Sequence, residues 1–474
     1  MLPKCGFSLY PQESDHRGSR LLFSALYDMI TTTLVKENST MATDENNKQS
    51  LRWMRLDNAA KIYPAARRRN WSNVFRQSVT LTEAVDTAVL QSALAVTVKR
   101  FPSIAARLRR GAFWYYLQQI PAPPYIRQEH SYPLVRMSRE EMRQCAFRVV
   151  VYGNRIAVEF FHSLTDGSGA LIFLKTLTAE YLEQKYKIQI PCEFGVLDRR
   201  EEPKQEELED SFLKYAASVC ASRKDTDAWH MWGEPQPGGF LHLTCFQVPV
   251  APLLKLAHEK GVSLTVILGA AMMQALIALQ REKEPDPRKR KGIKLQIPVN
   301  LRNLFPSKTL RNFAMYTTPE LDPRLGEYTF DEICQVIRHK MGSEVTAKHM
   351  STVIATNVRD EKSMAVRLIP LPIKNIVMKA IFDAVGERKS CLSMSNLGAV
   401  QLPEIMKPYV KRFDFILGVQ ADAPYNCGVL SYDGRLYINF IRNIRQPELE
   451  RHFHAVLRDM GIPVTVESNR NEGE

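Results

Sequence analysis

A β-hairpin that leads straight into a polar turn and then a helix is the feature that most constrains the fold of this chain. Phe147–Tyr152 and Arg155–Phe161 are largely apolar runs, and the Gly153-Asn154 pair between them is typical of a two-residue hairpin turn. The second strand ends at His162, and apolar residues recur at helical spacing over Gly169–Lys185. This order predicts that the residues between strand and helix lie at one end of a sheet, where loops commonly carry binding or catalytic side chains.

The segment between strand and helix reads His162-Ser-Leu-Thr-Asp166-Gly167. From residue frequencies, a His followed by Asp-Gly at this spacing is expected by chance about 0.02 times in such a chain. His162 shares one face of its strand with Val158 and Phe160, which predicts a partly desolvated, neutral imidazole suited to a general base. Gly167 is expected to adopt a backbone conformation that is closed to other residues. The alternative interpretation is a buried histidine followed by an ordinary turn.

The remainder of the chain alternates strands and helices in two units. A strand is predicted at Val74–Leu81, followed by a helix that Thr82 or Asp86 caps, and Ser263 or Thr265 caps a long helix in the second unit. Further helices are predicted over Phe330–Arg359, Ser363–Val385 and Pro447–Met460, and further strands over Phe240–Val248, Ile293–Val299, Cys391–Leu397, Val410–Gly418, Gly428–Ser431 and Arg435–Ile441.

This pattern predicts an α+β protein with two domains. We expect a flexible N-terminal extension over 1–50, an N-terminal domain over 51–190, a crossover over 191–240 and a C-terminal domain over 241–474. The crossover is charged and weakly patterned. Met41 precedes a very polar stretch, and the start of translation at Met1 or Met41 is left open.

Charge and composition limit the class of partner. Lys and Arg number 64 against 51 Asp and Glu, a net charge of +13, which favours an anionic partner or serves only solubility. The sequence has no zinc-finger spacing and no Arg/Gly array, so we expect no nucleic-acid binding. It has no uncharged apolar run of 18 residues, so we expect no membrane span. Eight scattered cysteines without C-x-x-C favour reduced thiols, a cytoplasmic location and no metal.

Three segments together resemble the chloramphenicol acetyltransferase-like superfamily of HxxxDG acyltransferases. Val158–Ala170 resembles its active-site segment, Pro298–Asn303 its second element and Ser393–Gly398 its third. The likeness covers roughly residues 52 to 465 and is greatest to the bacterial alcohol acetyltransferase-like branch. Phe161 stands where many peptide-synthetase condensation domains carry a second histidine. The resemblance implies two chloramphenicol acetyltransferase-like sandwich domains with a central tunnel between them.

The resemblance also implies a reaction. An acyl group, acetyl in the first instance, would pass from a coenzyme A thioester to an alcohol or amine, with His162 as general base and no acyl-enzyme. Acyl-coenzyme A would be a co-substrate, with no bound cofactor. Asp166 would be structural and would pair with Arg302, the arginine of the second element carried over by position. Gly167 would complete the motif.

Several residues are candidates for the remaining roles. Ser395 and Asn396 are candidate oxyanion donors or, equally, strand-end caps, while Asn300, Asn312 and Tyr316 are candidates for the tunnel wall. Two alternatives to the coenzyme A reaction stay open. One is a condensation-type acyltransferase whose acyl donor is bound to a carrier protein. The other is a non-catalytic binding module on the same scaffold.

Overall fold

The computed structural model describes residues 51–66, 73–219, 226–362, 368–385, 389–420 and 423–469. The extension predicted over 1–50 lies outside the described residues. Arg52–Glu474 forms one compact unit, and both predicted domains belong to it.

The strands, numbered in chain order, are β1 (Trp53–Arg55), β2 (Val74–Leu81), β3 (Ala106–Arg110), β4 (Tyr115–Gln119), β5 (Arg127–Gln128), β6 (Phe147–Tyr152), β7 (Arg155–Phe161), β8 (His242–Pro249), β9 (Ile293–Asn300), β10 (Ala314–Thr317), β11 (Glu320–Leu321), β12 (Leu392–Ala399), β13 (Val410–Ile416), β14 (Tyr425–Tyr432), β15 (Arg435–Arg442) and β16 (Thr465–Ser468).

The α-helices, numbered in the same way, are α1 (Ile62–Ala66), α2 (Thr87–Arg100), α3 (Arg139–Gln144), α4 (Gly167–Tyr186), α5 (Gln205–Leu208), α6 (Ser211–Tyr215), α7 (Val250–Glu259), α8 (Leu264–Lys283), α9 (Phe330–Glu344), α10 (Ala347–Lys362), α11 (Leu371–Val385) and α12 (Glu448–Asp459).

Two helix predictions need correction. The helix predicted over Phe330–Arg359 is two helices, because α9 ends at Glu344 and α10 begins at Ala347. The helix predicted to begin at Ser363 begins instead at Leu371, directly after Pro370, and residues 363–367 lie outside the described part of the chain. Proline cannot occupy a helix interior, so the Pro370 to Pro372 segment fits only at a helix start.

The N-terminal sheet has the strand order β13-β2-β7-β6-β5 and contains the predicted hairpin. β6 and β7 pair in the expected antiparallel register, with Val149 opposite Val158. Asp86 caps α2 by accepting hydrogen bonds from the main-chain N–H groups of Ala88 and Val89, at 2.9 and 3.1 Å. The side chains of β7 are buried along almost its whole length, so this strand is a rigid support for the residue that follows it.

One strand of the N-terminal sheet comes from the far end of the chain. β13 pairs antiparallel with β2, with Phe413 opposite Val79 and Val410 opposite Leu81. The boundaries predicted at 190 and 240 stay predictions, but the sheet pairing adds a strand exchange that they do not contain. The hydrophobic pattern of β13 predicts a strand, and it carries no information on which sheet the strand joins.

The larger sheet has the strand order β10-β9-β12-β14-β15-β8-β16, with β11 paired to β9. Ser263 caps α8 as predicted, by accepting a hydrogen bond from Val266 N–H. The expectation that no membrane-length apolar run exists is wrong in one place: in the described part of the chain, α8 is the one helix long and apolar enough to cross a bilayer, and 72% of that apolar window is buried inside the protein. This burial is typical of the core helix of a soluble protein.

The segment predicted as a crossover is packed into the fold. Glu207 of α5 forms a bidentate ion pair with Arg100, with oxygen–nitrogen distances of 2.6 and 2.7 Å. Phe212 of α6 is buried, and its ring lies 5.3 Å from that of Phe313. The crossover therefore links the two halves through a charged pair and an aromatic contact, although its sequence is weakly patterned.

Candidate active site

His162 lies directly after β7, and its ring is fixed by aromatic neighbours. Its main-chain N–H donates to the carbonyl of Asn73 at 2.9 Å. The ring of Tyr63, on α1, stacks on the imidazole with a centroid distance of 4.5 Å and an interplanar angle of 18°. Phe75 of β2 approaches the imidazole at 4.9 Å and 56°. As a whole residue, His162 is half-buried.

A chain of polar groups runs from His162 into the protein. Its Nδ1 lies 3.1 Å from Oδ1 of Asn312, and Nδ2 of Asn312 donates to Oδ2 of Asp57 at 3.3 Å. Oδ1 of Asp57 accepts a hydrogen bond from the main-chain N–H of Ala60 at 2.7 Å. Nε2 of His162 has no hydrogen-bond partner within the described residues. The ring therefore has one anchored nitrogen and one nitrogen available to a substrate.

The surroundings of His162 favour its neutral form. Burial lowers the pKa of His162, and this effect prevails over a hydrogen bond to its own carbonyl, the nearby carboxylates of Asp166 and Asp57 and the hydrogen bond to Asn312, which act to raise it. Burial raises the pKa of Asp57 against the opposing charge of Arg311. A histidine that is neutral near pH 7 can accept a proton, which is the property that a general base requires.

Asp166 is fully occupied by structural hydrogen bonds. Its Oδ1 caps α4 by accepting from the N–H groups of Ser168 and Gly169 at 3.1 and 3.0 Å. Its Oδ2 accepts from Arg302 Nη1 and from the main-chain N–H of Phe313, both at 2.8 Å. The structure thus brings together the expected Asp166–Arg302 pair, and it joins the motif to the C-terminal half. Asp166 is only 3% exposed.

Arg302 is held in turn by main-chain carbonyls and by Asn300. Its Nε donates to the carbonyl of Thr309 at 2.9 Å and its Nη2 to that of Arg311 at 2.6 Å. Asn300 accepts from Arg302 Nη1 at 3.1 Å and donates to Ser168 Oγ at 3.0 Å. The structure therefore places Asn300, a candidate for the tunnel wall, beside the ion pair, with both ends of its amide engaged there.

The conformation expected at Gly167 is wrong, because its φ does not lie in the left-handed region. Glycine is required at position 167 because there is little space for a side chain. A Cβ at Gly167 would lie 2.8 Å from Cδ2 of Leu397, on β12. The carbonyl of Gly167 also accepts a hydrogen bond from Gln77 Nε2 at 2.7 Å. Gly167 therefore allows β12, which carries Ser395, to approach the start of α4.

Gly169, two positions further on, is more tightly enclosed, and replacing it by alanine should destabilise the protein. The new Cβ would lie 2.4 Å from the main-chain oxygen of Leu310 and 2.2 Å from Oγ1 of Thr165. Because a backbone atom cannot move aside cheaply, we expect the free energy of unfolding to fall by about 1–3 kcal/mol in urea titrations.

The matched control is Gly342→Ala in α9, where nothing lies within 4 Å of the added Cβ. At this position alanine should stabilise the helix by up to about 1 kcal/mol, because it restricts the unfolded chain more than glycine does. Equal stability changes in the two variants would contradict the close approach at Gly169.

The two candidate oxyanion donors differ in their surroundings. Asn396 donates to Thr265 Oγ1 at 3.1 Å and accepts from the N–H of Gly398 at 2.9 Å. These bonds are those of a strand-end cap, beside an irregular register between Asn396 and Ala399. Ser395 pairs with Gly428 of β14, and its hydroxyl makes no hydrogen bond within the described part of the chain.

Sequence reasoning missed Asp57 and Tyr63 and named Asn312 only as part of the tunnel wall. Asp57 and Asn312 are 255 positions apart, and a single sequence does not pair residues at that distance. Tyr316, the third candidate for the tunnel wall, is half exposed at the edge strand β10. Among the residues that the structure describes, no three His, Cys, Asp or Glu side chains are grouped as metal ligands.

A cavity of about 550 Å³ lies elsewhere, between α7, α8 and α9, and Ser263 and Arg338 are among its lining residues. None of the motif residues lines this cavity.

Comparison with known proteins gives matches among solved structures alone. No protein-family model matches the chain, and no curated protein matches it in sequence. Trichothecene 15-O-acetyltransferase TRI3 from Fusarium sporotrichioides superposes with a TM-score of 0.56 and 11% identity, over 88% of this chain and 96% of that chain. F. sporotrichioides TRI101 in complex with coenzyme A and T-2 gives 0.58 and 11%, over 88% and 99%. The first condensation domain of the calcium-dependent antibiotic synthetase, with a substrate analogue, gives 0.58 and 12%, over 87% and 96%.

These neighbours belong to the chloramphenicol acetyltransferase-like superfamily, and the chain has the fold of that superfamily. The superpositions agree with the fold that the three motifs implied, and at 11–12% identity the likeness is one of fold. The mixed α and β fold class is confirmed with it.

Proposed function

We propose that this protein transfers an acyl group from a coenzyme A thioester to an alcohol or amine. The observation that supports this most directly is the arrangement of His162, which has a neutral ring, an anchored Nδ1 and an Nε2 without a partner in the described structure. Such a ring is suited to general acid–base catalysis, which typically contributes about 10²–10⁴-fold to a rate.

In the proposed reaction, Nε2 of His162 takes the proton of the acceptor hydroxyl or amine while the acceptor atom attacks the thioester carbonyl. The tetrahedral intermediate then collapses, the carbon–sulfur bond breaks, and the proton passes from His162 to the sulfur. The products are the acylated acceptor and free coenzyme A thiol. Because attack is direct, no side chain of the enzyme is acylated.

Both halves of the protein contribute to the proposed site. His162 follows a strand of the N-terminal sheet, while its partner Asn312 and the ion-pair residue Arg302 come from the C-terminal half. This meeting of the halves supports a tunnel in which the two substrates reach His162 from opposite sides. Holding them together there would supply part of the rate through proximity.

Ser395 is the less committed of the two proposed oxyanion donors. Its hydroxyl is unbonded in the described structure, whereas the amide of Asn396 is committed to Thr265 and Gly398. A hydroxyl aimed at the developing negative charge would stabilise the tetrahedral intermediate. The net charge of +13 favours the approach of the coenzyme A phosphates.

The likeness to a condensation domain supports a second candidate function. That domain superposes with the same TM-score of 0.58 as TRI101. In this alternative, the thioester is delivered by an acidic carrier protein, which the positive charge of the chain would also attract. The residue before His162 is Phe161, where many condensation domains carry histidine, and this departure favours coenzyme A as the donor.

The direct test is to mix the purified full-length chain with acetyl-coenzyme A and a panel of alcohols and amines, and to follow free thiol release. We expect release that depends on both the protein and an acceptor. A parallel reaction with an acyl-loaded carrier protein distinguishes the second candidate. If neither thioester is consumed with any acceptor, the proposal fails and a binding module on the same scaffold is the better interpretation.

The pH profile is expected to report the lowered pKa of His162. The base acts when its imidazole is neutral, so kcat/KM should be lost only as the pH falls through that pKa, which lies below the usual 6.5. The acidic midpoint should therefore lie below pH 6.5, measured as initial rates of thiol release. Thermal melts over the same pH range serve as the control for unfolding. A midpoint at or above 6.5 would contradict the environment described for this ring.

A further inference from the structure

We infer that Asp57 and Asn312 are positioning residues that fix the proton of the His162 ring on Nδ1 and so keep Nε2 free to act as the base. The position of the proton is inferred from the geometry of His162, Asn312 and Asp57. Its effect on catalysis rests on the proposed function. The three side chains form an unbroken chain of hydrogen bonds, with distances of 3.1 and 3.3 Å.

The direction of each of these hydrogen bonds follows from Asp57, because the neighbours of its carboxylate determine which groups donate and which accept. Oδ1 of Asp57 faces the main-chain N–H of Ala60, which can only donate. Oδ2 of Asp57 lies 3.7 Å from Arg311 Nε, whose positive charge favours the ionised carboxylate, and both oxygens of an ionised carboxylate can only accept. Asn312 must therefore present its NH₂ group to Asp57. Its carbonyl oxygen, which can only accept, is left facing His162, and Nδ1 must carry the hydrogen.

Because Asp57 and Asn312 are buried, turning the Asn312 amide over would cost free energy. Asp57 is 0% exposed and Asn312 is 3% exposed, so water cannot substitute for a misdirected donor. An amide turned the wrong way would place two donors, or two acceptors, against each other in the core, which greatly disfavours that arrangement. Tyr63 and Phe75 contact the imidazole ring and oppose its rotation.

Charged and titratable groups flank this chain of hydrogen bonds on both sides. Asp166 and Asp57 act on His162, and Arg311 and Lys61 act on Asp57. One further acceptor favours the same tautomer, namely the main-chain carbonyl of His162 itself. If that carbonyl alone sets the tautomer, removing the Asp57 charge will not change it. Substitution of Asp57 therefore separates these two cases.

The first variant is Asp57→Asn, which keeps the shape of the side chain. Its amide oxygen is needed at Ala60 N–H, so its NH₂ group must face Asn312. Two NH₂ groups cannot share a hydrogen bond, and we expect the Asn312 amide to turn over and offer NH₂ to His162 Nδ1. The hydrogen of the ring then moves to Nε2, which can no longer accept a proton.

Two readouts are made on the full-length variant. Nitrogen-15 spectra of histidine-labelled protein show which ring nitrogen carries the hydrogen, with His162→Ala used to assign the signal among the ten histidines. We expect hydrogen on Nδ1 in the native protein and on Nε2 in Asp57→Asn. In thiol-release assays, kcat should fall by about 10²–10⁴-fold with little change in KM, the size of effect seen when a general base is lost or held in the wrong tautomer.

The double variant Asp57→Asn with Asn312→Asp exchanges the two groups and restores the original direction. The new amide at position 57 donates to the new carboxylate at position 312, and that carboxylate accepts from His162 Nδ1. We expect the Nδ1–H signal to return and kcat to recover most of its loss. A purely structural role for Asp57 would not produce such a recovery.

Ser163→Ala is the matched control, because Ser163 Oγ donates to the carbonyl of Ala60 at 3.0 Å in the same buried turn. It should lower the melting temperature without moving the His162 hydrogen. The inference is overturned if Asp57→Asn leaves the hydrogen on Nδ1, or if the double variant is no better than the single one. If the tautomer changes as expected but no thioester is ever consumed, the proposed function fails and the positioning role stands.

Discussion

Replacing His162 by alanine should lower kcat for thioester consumption by about 10²–10⁴-fold. The reason is that Nε2, the ring nitrogen that would act as the base, is removed, and no side chain among the described residues is hydrogen-bonded to it. KM for the thioester should change little, because the proton transfer occurs after binding. The rates are measured as thiol release at saturating acceptor.

The control for this variant is His452→Ala. His452 lies on α12 at the surface, where its Nε2 is 2.9 Å from Glu282 Oε2. This variant should retain the native rate. Turnover by His162→Ala at the native rate would remove the catalytic role from the motif and leave only the fold.

The free energy of unfolding of Asp166→Ala should be lower than that of the native protein by about 3–5 kcal/mol, because the variant leaves the guanidinium of Arg302 without its buried partner. The loss is large since this carboxylate also accepts two hydrogen bonds at the start of α4 and one from Phe313 N–H. Urea titrations followed by circular dichroism measure the change. Activity should be lost together with the folded state and not independently of it.

A surface pair provides the comparison. Arg324 and Asp322 approach to 2.6 Å, with side chains that are 56% and 27% exposed. Asp322→Ala should therefore cost only about 0–1 kcal/mol. The structural role of Asp166 is refuted if Asp166→Ala melts like the native protein and yet has no turnover, since that outcome would assign it a direct part in the chemistry.

The elements that could be predicted from the sequence are those with local causes. The hairpin of β6 and β7 follows from two apolar runs around Gly153-Asn154, and the structure has the predicted bounds. The starts of α2 and α8 follow from Asp86 and Ser263, whose side chains satisfy N–H groups two or three residues away. In each case the residues that determine the turn or the helix start lie within a few positions of it.

The features that could not be predicted depend on contacts between distant parts of the chain. The pairing of β13 with β2, and the approach of Asn312 to both His162 and Asp57, join residues that are 150 or more positions apart. The resemblance to a known superfamily supplied one long-range contact, Asp166 with Arg302, 136 positions apart, because it carried over a pairing that the residues themselves do not display.

The strand exchange has a consequence for how the protein is made. While the nascent chain leaves the ribosome, the outer edge of β2 stays unpaired until β13 emerges, because Leu81 pairs with Val410 in the folded protein. At about 5–20 residues per second, this delay lasts for tens of seconds. An unpaired strand edge exposed for that time is a template for aggregation. Synthesis in the cell should therefore rely on chaperones that shield this edge, and separate expression of the first half should give insoluble protein.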